Sequence, residues 1–132
     1  MPRLSDRVGT FTDSVIRRMT RINNQYDSIN LSQGFPDFDP PKELTDALAK
    51  AAHDGPHQYA VTFGAQNFRE ALAKKTSPAL HHEVNPNTEI CVTCGGTEAM
   101  MAAMMTICNP GDKVMIFSPF YEHYGADAIL SR

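Results

Sequence analysis

The feature that most constrains the fold of this chain is a pair of short apolar runs separated by one helix-like segment. The runs are EICVT at 89–93 and KVMIF at 113–117, both of the type that forms buried strands. Between them, residues 97–108 are long and apolar enough for a helix, and the turn sequence NPGD at 109–112 ends it. A strand, a helix and a second strand in this order predict two parallel strands joined by a crossover helix.

Two amphipathic helices are predicted in the first half of the chain. Residues 12–26 carry apolar side chains at helical spacing, with arginines on the opposite side. A second helix follows the proline pair at 40–41, with Asp39 as its expected N-cap and Gly55 as its end. The loop between these helices is rich in glycine, proline and aromatic residues and follows a marginal strand at 29–31.

The second half of the chain adds a third helix and the start of another. The third follows Gly64 and is expected to end at Pro78, and the last covers about 125–130. The predicted fold class is therefore α/β, with a parallel-type sheet and flanking helices. Two clear strands and one marginal strand cannot bury both faces of such a sheet, and no turn or cap closes the last helix. We therefore expect the amino-terminal part of a larger protein, truncated before the sheet is complete.

Composition and charge argue against several classes of protein. The net charge is −3 and the twelve Lys and Arg residues are spread along the chain, which argues against nucleic-acid binding. The first residues lack the apolar core of a signal peptide, and the longest apolar run, 99–105, is too short to span a bilayer. Three cysteines without a secretory signal are expected to be reduced thiols. These features predict a cytoplasmic protein.

The stretch from Cys91 to Thr97 allows more than one interpretation. Cys91 and Cys94 form a C-x-x-C pair, as in redox and zinc sites, but residues three apart in a strand point to opposite faces. We therefore expect these thiols to pack in the core and predict no metal site, although a thiol or metal protein is the alternative. Gly95 and Gly96, before a helix expected to start near Thr97, either hold an anion on backbone N–H groups or form a tight turn.

Four separated stretches resemble one protein family. They are NLSQGFPDFDPP (30–41), QYAVTFGAQNFREALA (58–73), VTCGGTEAM (92–100) and NPGDKVMIFSPFYEHY (109–124). In order and spacing they are similar to the amino-terminal part of class I/II pyridoxal-phosphate-dependent aminotransferases of fold type I, in the kynurenine and methionine aminotransferase branch. The resemblance implies that residues 1–40 form an N-terminal arm, a helix and a substrate-side loop belonging to the small domain. Residues 41–132 would be the first, incomplete part of the large cofactor-binding domain.

The resemblance also implies which residues bind pyridoxal 5′-phosphate. Gly95, Gly96 and Thr97 would hold the phosphate, the two glycines through backbone N–H groups. Many members of the branch have Gly-Ala-Thr at these positions, so Gly96 departs from that pattern while leaving the backbone contact possible. Tyr121 would stack on the pyridine ring, and Tyr124 would flank it. Without the resemblance, Tyr121 would be interpreted as a half-buried aromatic residue at a strand end.

Two further residues are implicated by the same resemblance. Tyr59 would reach across a homodimer interface to the phosphate of the other subunit's cofactor, and the helix at 12–26 would gain a partner surface there. Gly34 would let the backbone approach the α-carboxylate of the substrate. Without the resemblance, Tyr59 would be interpreted as a packing residue and Gly34 as a turn glycine.

Transamination needs a lysine that holds the cofactor as an imine, and the resemblance places that lysine downstream of the last matching stretch. The lysines of this chain fall on solvated helix faces or directly after a turn, where an ammonium group stays protonated. They are Lys42, Lys50, Lys74, Lys75 and Lys113. We therefore expect a fragment of an aminotransferase acting on an amino acid and a 2-oxo acid, inactive by itself and without a catalytic residue. The alternatives are a cysteine-conjugate β-lyase of the same fold and a non-catalytic dimerisation or binding module.

Overall fold

The structure, a computed structural model, describes residues 3–131 and divides into two compact units, Met1–His57 and Gln58–Arg132. Within the described residues, the first unit contains the 3₁₀ helix Asp6–Thr10 and the helices α1 (Val15–Tyr26) and α2 (Lys42–Asp54). The second contains α3 (Gln66–Leu80), α4 (Gly95–Ile107) and α5 (His123–Leu130). None of these helices is long and apolar enough to cross a membrane. The boundary expected at residue 40 concerns the domains of a longer protein and stays a prediction.

α1 forms where the sequence predicts a helix because its start is capped. The Ser14 hydroxyl accepts a hydrogen bond from the backbone N–H of Arg17 at 3.3 Å, which satisfies one donor of the first turn. The helix ends before Asp27, whose φ of 48° is left-handed. The apolar stripe of α1 is only partly covered, since Met19 and Ile22 are each 40% exposed.

α2 begins at Lys42, so the expected N-cap at Asp39 is wrong. Pro41 takes the N-cap position, with φ −51° and ψ 137°. The proline pair explains the shift, because Pro40 precedes Pro41 and is therefore kept out of the helical region, so the helix cannot begin directly after Asp39. Gly55 follows the last helical residue as predicted, with φ of +74°.

α3 runs to Leu80, so the predicted end at Pro78 is wrong by two residues. Proline removes one N–H donor, the one that would bond the carbonyl of Lys74, but this loss falls in the last turn of the helix. The Ser77 hydroxyl donates to the carbonyl of Ala73 at 2.7 Å and accepts from the N–H of Val84 at 3.0 Å. The helix then closes at His81, whose φ of 50° is left-handed.

Arg69, near the start of α3, forms hydrogen bonds to the loops that precede and follow this helix. The residue is 6% exposed. Its guanidinium group donates to the carbonyl of Gly64 at 3.0 Å, to the carbonyl of Pro86 at 2.6 Å and to the side-chain oxygen of Gln66 at 2.5 Å. Three neutral oxygen atoms therefore satisfy this buried charge.

Gly64 packs directly against Val92 in the segment that leads to α4. Its φ is +104°, and a Cβ atom at this position would lie 2.4 Å from a methyl carbon of Val92. The backbone N–H of Val92 also donates to the carbonyl of Phe63 at 3.0 Å. Because any side chain at residue 64 would both strain the backbone and collide with Val92, the contact requires glycine.

Residues 3–131 contain no β-strand, so the predicted parallel-type sheet is not formed. The segments expected as strands, 29–31, 89–93 and 113–117, have irregular backbone. A strand is defined by a ladder of hydrogen bonds to its neighbour, and within the described residues these segments form no such ladder. Many of their side chains are correspondingly open to solvent, and Met115 and Phe117 are each 83% exposed.

The buried core is small. Among the described residues its apolar members are Ala73, Val84 and Met104, all in the second unit. The chain exposes 11,637 Å², whereas a folded monomer of 14.6 kDa exposes about 6,900 Å². Even two independent bodies of the sizes of these units would together expose only about 8,300 Å². Much apolar surface that a complete domain would bury is therefore uncovered.

Candidate functional site

The start of α4 holds the three residues expected to bind phosphate. The helix begins at Gly95 rather than near Thr97, so the prediction that two glycines delay it is wrong. Gly95 has φ of +80°, which costs glycine little because it has no Cβ. A carboxylate oxygen of Glu98, in the first turn, accepts a hydrogen bond from the N–H of Cys94, the residue just before the helix. This bond holds the helix start in place.

The first-turn amides of α4 are not equally available to a ligand. The N–H of Gly95 already donates to the carbonyl of Thr93 at 2.9 Å. Gly96 and Thr97 occupy the following positions, whose N–H groups have no acceptor within the helix. A Cβ atom at Gly96 would meet no atom within 4 Å, so the backbone there is openly accessible. Gly96 and Thr97 are therefore the better placed anion donors.

A cavity of about 430 Å³ adjoins this helix start within the second unit. Its volume lies in the range of small-molecule sites. One side of the wall is backbone at the start of α4. The other side consists of aromatic, imidazole and carboxylate groups from α5 and from the end of the loop that joins α4 to α5. The lining residues are Gly96, Thr97, Met100, Tyr121, His123, Tyr124 and Asp127.

Tyr121 stands at the centre of an aromatic cluster in this wall. Its ring centroid lies 4.5 Å from that of His123, with the planes inclined by 39°. Tyr124 approaches edge-on, with a centroid distance of 6.0 Å and an angle of 80°. Such edge-to-face pairs fix ring orientation. Tyr121 is nevertheless 48% exposed, so one part of its ring is open to a ligand.

The structure brings together some of the predicted site residues and leaves others apart. Gly96, Thr97 and Tyr121 line one cavity, and Gly95 precedes it in the same helix. Tyr59 is not among the lining residues and is 99% exposed. Gly34 belongs to the first unit, and a Cβ atom there would meet nothing within 4 Å.

Asp127 is a cavity residue that the sequence analysis did not identify. It is 5% exposed and lies in α5, three residues after Tyr124. The available signal was a lone acidic residue among small and apolar residues in GADAIL. A lone acidic residue does not by itself indicate a site. It is the packing of α5 on α4 that brings Asp127 to the wall of the cavity.

The cysteines do not pack in the core, so that prediction is wrong. Cys91 and Cys94 are exposed and Cys108 is partly buried, all three as free thiols. The reason is the missing strand pairing, because without a neighbouring strand this segment is covered only on the side of Val92, and Cys91 and Cys94 stay exposed. In the described part of the chain, no three His, Cys, Asp or Glu side chains converge as a metal site would require.

Comparison with known proteins places this geometry in a family. The sequence profile described as "Aminotransferase class I and II" matches residues 26–132. The chain is 40% identical over 118 residues to the methionine aminotransferase of Escherichia coli, covering 89% of this chain and 31% of that protein. It is 36% identical over 121 residues to a kynurenine–oxoglutarate transaminase of Dictyostelium discoideum, covering 91% of this chain and 28% of that protein.

Solved structures give the same relationship. A methionine aminotransferase structure from Escherichia coli superposes with a TM-score of 0.88 at 36% identity, covering 99% of this chain and 34% of that one. The N-succinyldiaminopimelate aminotransferase of Mycobacterium tuberculosis also gives 0.88, at 30% identity, covering 98% and 34%. The chain thus spans about a third of the length of its relatives, and its backbone follows part of the fold type I aminotransferase fold without the strand pairing. The chain belongs to the class I and II aminotransferase family.

Proposed function

We propose that this chain is part of an aminotransferase that uses pyridoxal 5′-phosphate to transfer an amino group between an amino acid and a 2-oxo acid. The observation that carries the proposal is the convergence of Gly96, Thr97 and Tyr121 on one cavity, in a chain of this family. An anion-binding helix start and an open aromatic ring are the two features that a phosphorylated pyridine requires.

The cavity residues fit this cofactor in chemistry. The first-turn amides of α4 and the hydroxyl of Thr97 can donate hydrogen bonds to a phosphate. Tyr121 offers the flat face for the pyridine ring, while His123 and Tyr124 restrict its rotation. When bound, pyridoxal phosphate supplies an electron sink for negative charge developing on the substrate. The role of this chain is to bind that group, to orient it and to shield it from water.

The proposed functions of Tyr59 and Gly34 concern groups outside this cavity. The Tyr59 side chain is almost fully exposed, as expected for a residue that acts in a second subunit of a homodimer. Gly34 lies in a loop where its missing side chain leaves open space, suitable for a substrate carboxylate. Sedimentation velocity with saturating cofactor tests the first proposal, and a chain that stays monomeric at all concentrations contradicts it.

The chain alone is proposed to lack catalytic activity. Lys42, Lys50, Lys74, Lys75 and Lys113 are all exposed, and the first two pair with Asp46 and Asp54. A solvated ammonium does not act as an imine-forming nucleophile near neutral pH. The same observation favours a non-catalytic binding module as the second candidate function.

A β-lyase would share this part of the site. A cytoplasmic location stays a prediction, with which free thiols agree.

Binding of pyridoxal phosphate to the purified 132-residue chain tests the proposal. We expect saturable binding by equilibrium dialysis, without imine absorbance and without amino transfer. Thr97→Val should weaken binding by about tenfold to a hundredfold, because a hydrogen bond to a charged group contributes roughly 1.5–3 kcal/mol. Thr106→Val, in the same helix but outside the cavity, is the matched control and should bind as the unmodified chain does.

Tyr121→Leu supplies a second, independent arm of this experiment. Loss of ring stacking should weaken binding about threefold to tenfold, since aromatic pairs contribute roughly 0.5–1.5 kcal/mol beyond burial. Competition by inorganic phosphate should persist in this variant, because the helix start is unchanged. Absence of saturable binding by the unmodified chain, or indifference to both substitutions, would refute the proposed function.

A further inference from the structure

His123 lines the cavity with an imidazole ring whose nitrogen atoms bond to no other described residue. It is the first residue of α5, it is partly exposed, and it shares the cavity wall with Gly96 and Thr97. Its ring lies beside that of Tyr121, with 4.5 Å between the centroids. Among the described residues, no hydrogen bond or ion pair reaches the ring nitrogens. The imidazole is therefore available to a ligand in the cavity.

The helix start alone does not balance the charge of a phosphorylated ligand. A phosphate ester carries a charge of roughly −1.5 to −2 at pH 7. The backbone amides of Gly96 and Thr97 and the Thr97 hydroxyl are neutral donors, with only the partial positive charge of the helix end behind them. Among the described residues that line the cavity, His123 alone can carry a full positive charge. It is therefore the group in this wall that can offset the charge of a bound phosphate.

The groups around His123 allow its charge to respond to an anion. The other titratable residues of the wall are Tyr121 in the loop and Tyr124 and Asp127 on α5, while α4 contributes only uncharged groups to it. Within the described part of the chain, none of these residues forms an ion pair with His123. Imidazole exchanges a proton between about pH 5 and pH 8, and a neighbouring anion favours the charged form. Anion binding would then take up a proton, so affinity would rise as pH falls.

We propose that protonated His123 binds the phosphate group of the ligand held at the start of α4, which makes the affinity of the cavity for that ligand depend on pH. This inference rests on the proposed function, because it assumes that a phosphorylated ligand occupies the cavity. Gly96 and Thr97 contact the phosphate from the side of α4, and His123 contacts it from the side of α5. His123 is thus an additional binding residue, and amino transfer itself requires nothing of it.

Isothermal titration calorimetry of the 132-residue chain with sulfate tests the proposal. Sulfate is the probe because its charge stays constant over the range in which imidazole and phosphate esters titrate. The unmodified chain should bind sulfate about tenfold or more tightly at about pH 5.5 than at about pH 8, as expected for a charge-assisted hydrogen bond. Titrations in buffers of different ionisation enthalpy should show uptake of up to about one proton for each sulfate bound.

His123→Phe separates the charge of the imidazole from its packing. Phenylalanine keeps an aromatic ring beside Tyr121 but has no ring nitrogen. This variant should bind sulfate equally well at both pH values, with the affinity of the unmodified chain at the higher pH. His123→Gln, a neutral side chain, should behave in the same way and gives a second measurement if the phenylalanine variant fails to fold. His53→Gln replaces an exposed histidine of α2 that does not line the cavity, and this control should keep the full pH dependence.

The outcomes distinguish this inference from the proposed function. If the chain binds neither pyridoxal phosphate nor sulfate, the proposed function fails and the inference fails with it. If pyridoxal phosphate binds but sulfate binds equally at both pH values, or not at all, the proposed function stands and the role of His123 is wrong. A pH dependence that persists in His123→Phe and disappears in Asp127→Asn would assign it to the carboxyl group instead. A lower urea midpoint in both His123 variants would indicate a structural role and would also overturn the inference.

Discussion

Replacement of Gly64 by alanine should destabilise the second unit strongly. The backbone at this residue has φ of +104°, and the new Cβ atom would lie 2.4 Å from a methyl carbon of Val92. Left-handed backbone costs a residue with a side chain about 1–2 kcal/mol, and overpacking adds about 1–3 kcal/mol. The expected loss of about 2–5 kcal/mol is large beside the roughly 4–11 kcal/mol typical of a domain of this size.

Urea unfolding followed by circular dichroism measures this effect. With a denaturant dependence of about 1 kcal/mol per molar, the midpoint should fall by about 2 M or more, or the folded baseline should disappear. Gly125→Ala is the control of opposite sign, because Gly125 is helical with nothing within 4 Å of its Cβ position. Alanine there should raise stability by about 0.5–1 kcal/mol. If Gly64→Ala changes the free energy of unfolding by less than about 0.5 kcal/mol, the proposed contact with Val92 is wrong.

Two further predictions concern charged groups of the second unit. Arg69→Met should lower the free energy of unfolding by about 2–5 kcal/mol, because two backbone carbonyls lose their donor. Arg69→Lys should recover only part of the lost stability. Equal stability of Arg69→Met and the unmodified chain would contradict this prediction. The N–H of Asn85 and the ring of His82 hold the pKa of Glu89 below its ordinary value. Since a lowered carboxyl pKa stabilises the folded state above the ordinary value of 4.5, this contribution should fade as pH falls below it. Glu89→Gln should flatten the acid limb of a plot of unfolding midpoint against pH, and an unchanged slope would refute that origin.

The helices are the part of the fold that local sequence could predict. α1 and α2 appear where apolar spacing places them, because a helix bonds within its own segment. Their ends depend on finer chemistry. Pro41 displaces Asp39 as N-cap, and α3 continues two residues past Pro78. Neither end follows from the general behaviour of aspartate or proline.

The sheet and part of the site could not be predicted in the same way. A strand needs a neighbour, so the apolar runs at 89–93 and 113–117 specify strands only together with chain that pairs with them. The resemblance identified Thr97 and Tyr121, which the structure places on one cavity. The position of Asp127 in the cavity wall was not predicted, because its burial depends on how α5 packs on α4. The spacing of residues within α5 carries no information about that packing.

The uncovered apolar surface has a consequence for the life of this chain in a cell. Side chains such as Met115 and Phe117, which stay open to water, are what molecular chaperones and quality-control proteases recognise. The half-life of a polypeptide with this surface would then be set by how quickly further polypeptide, from the same protein or from another, covers those side chains.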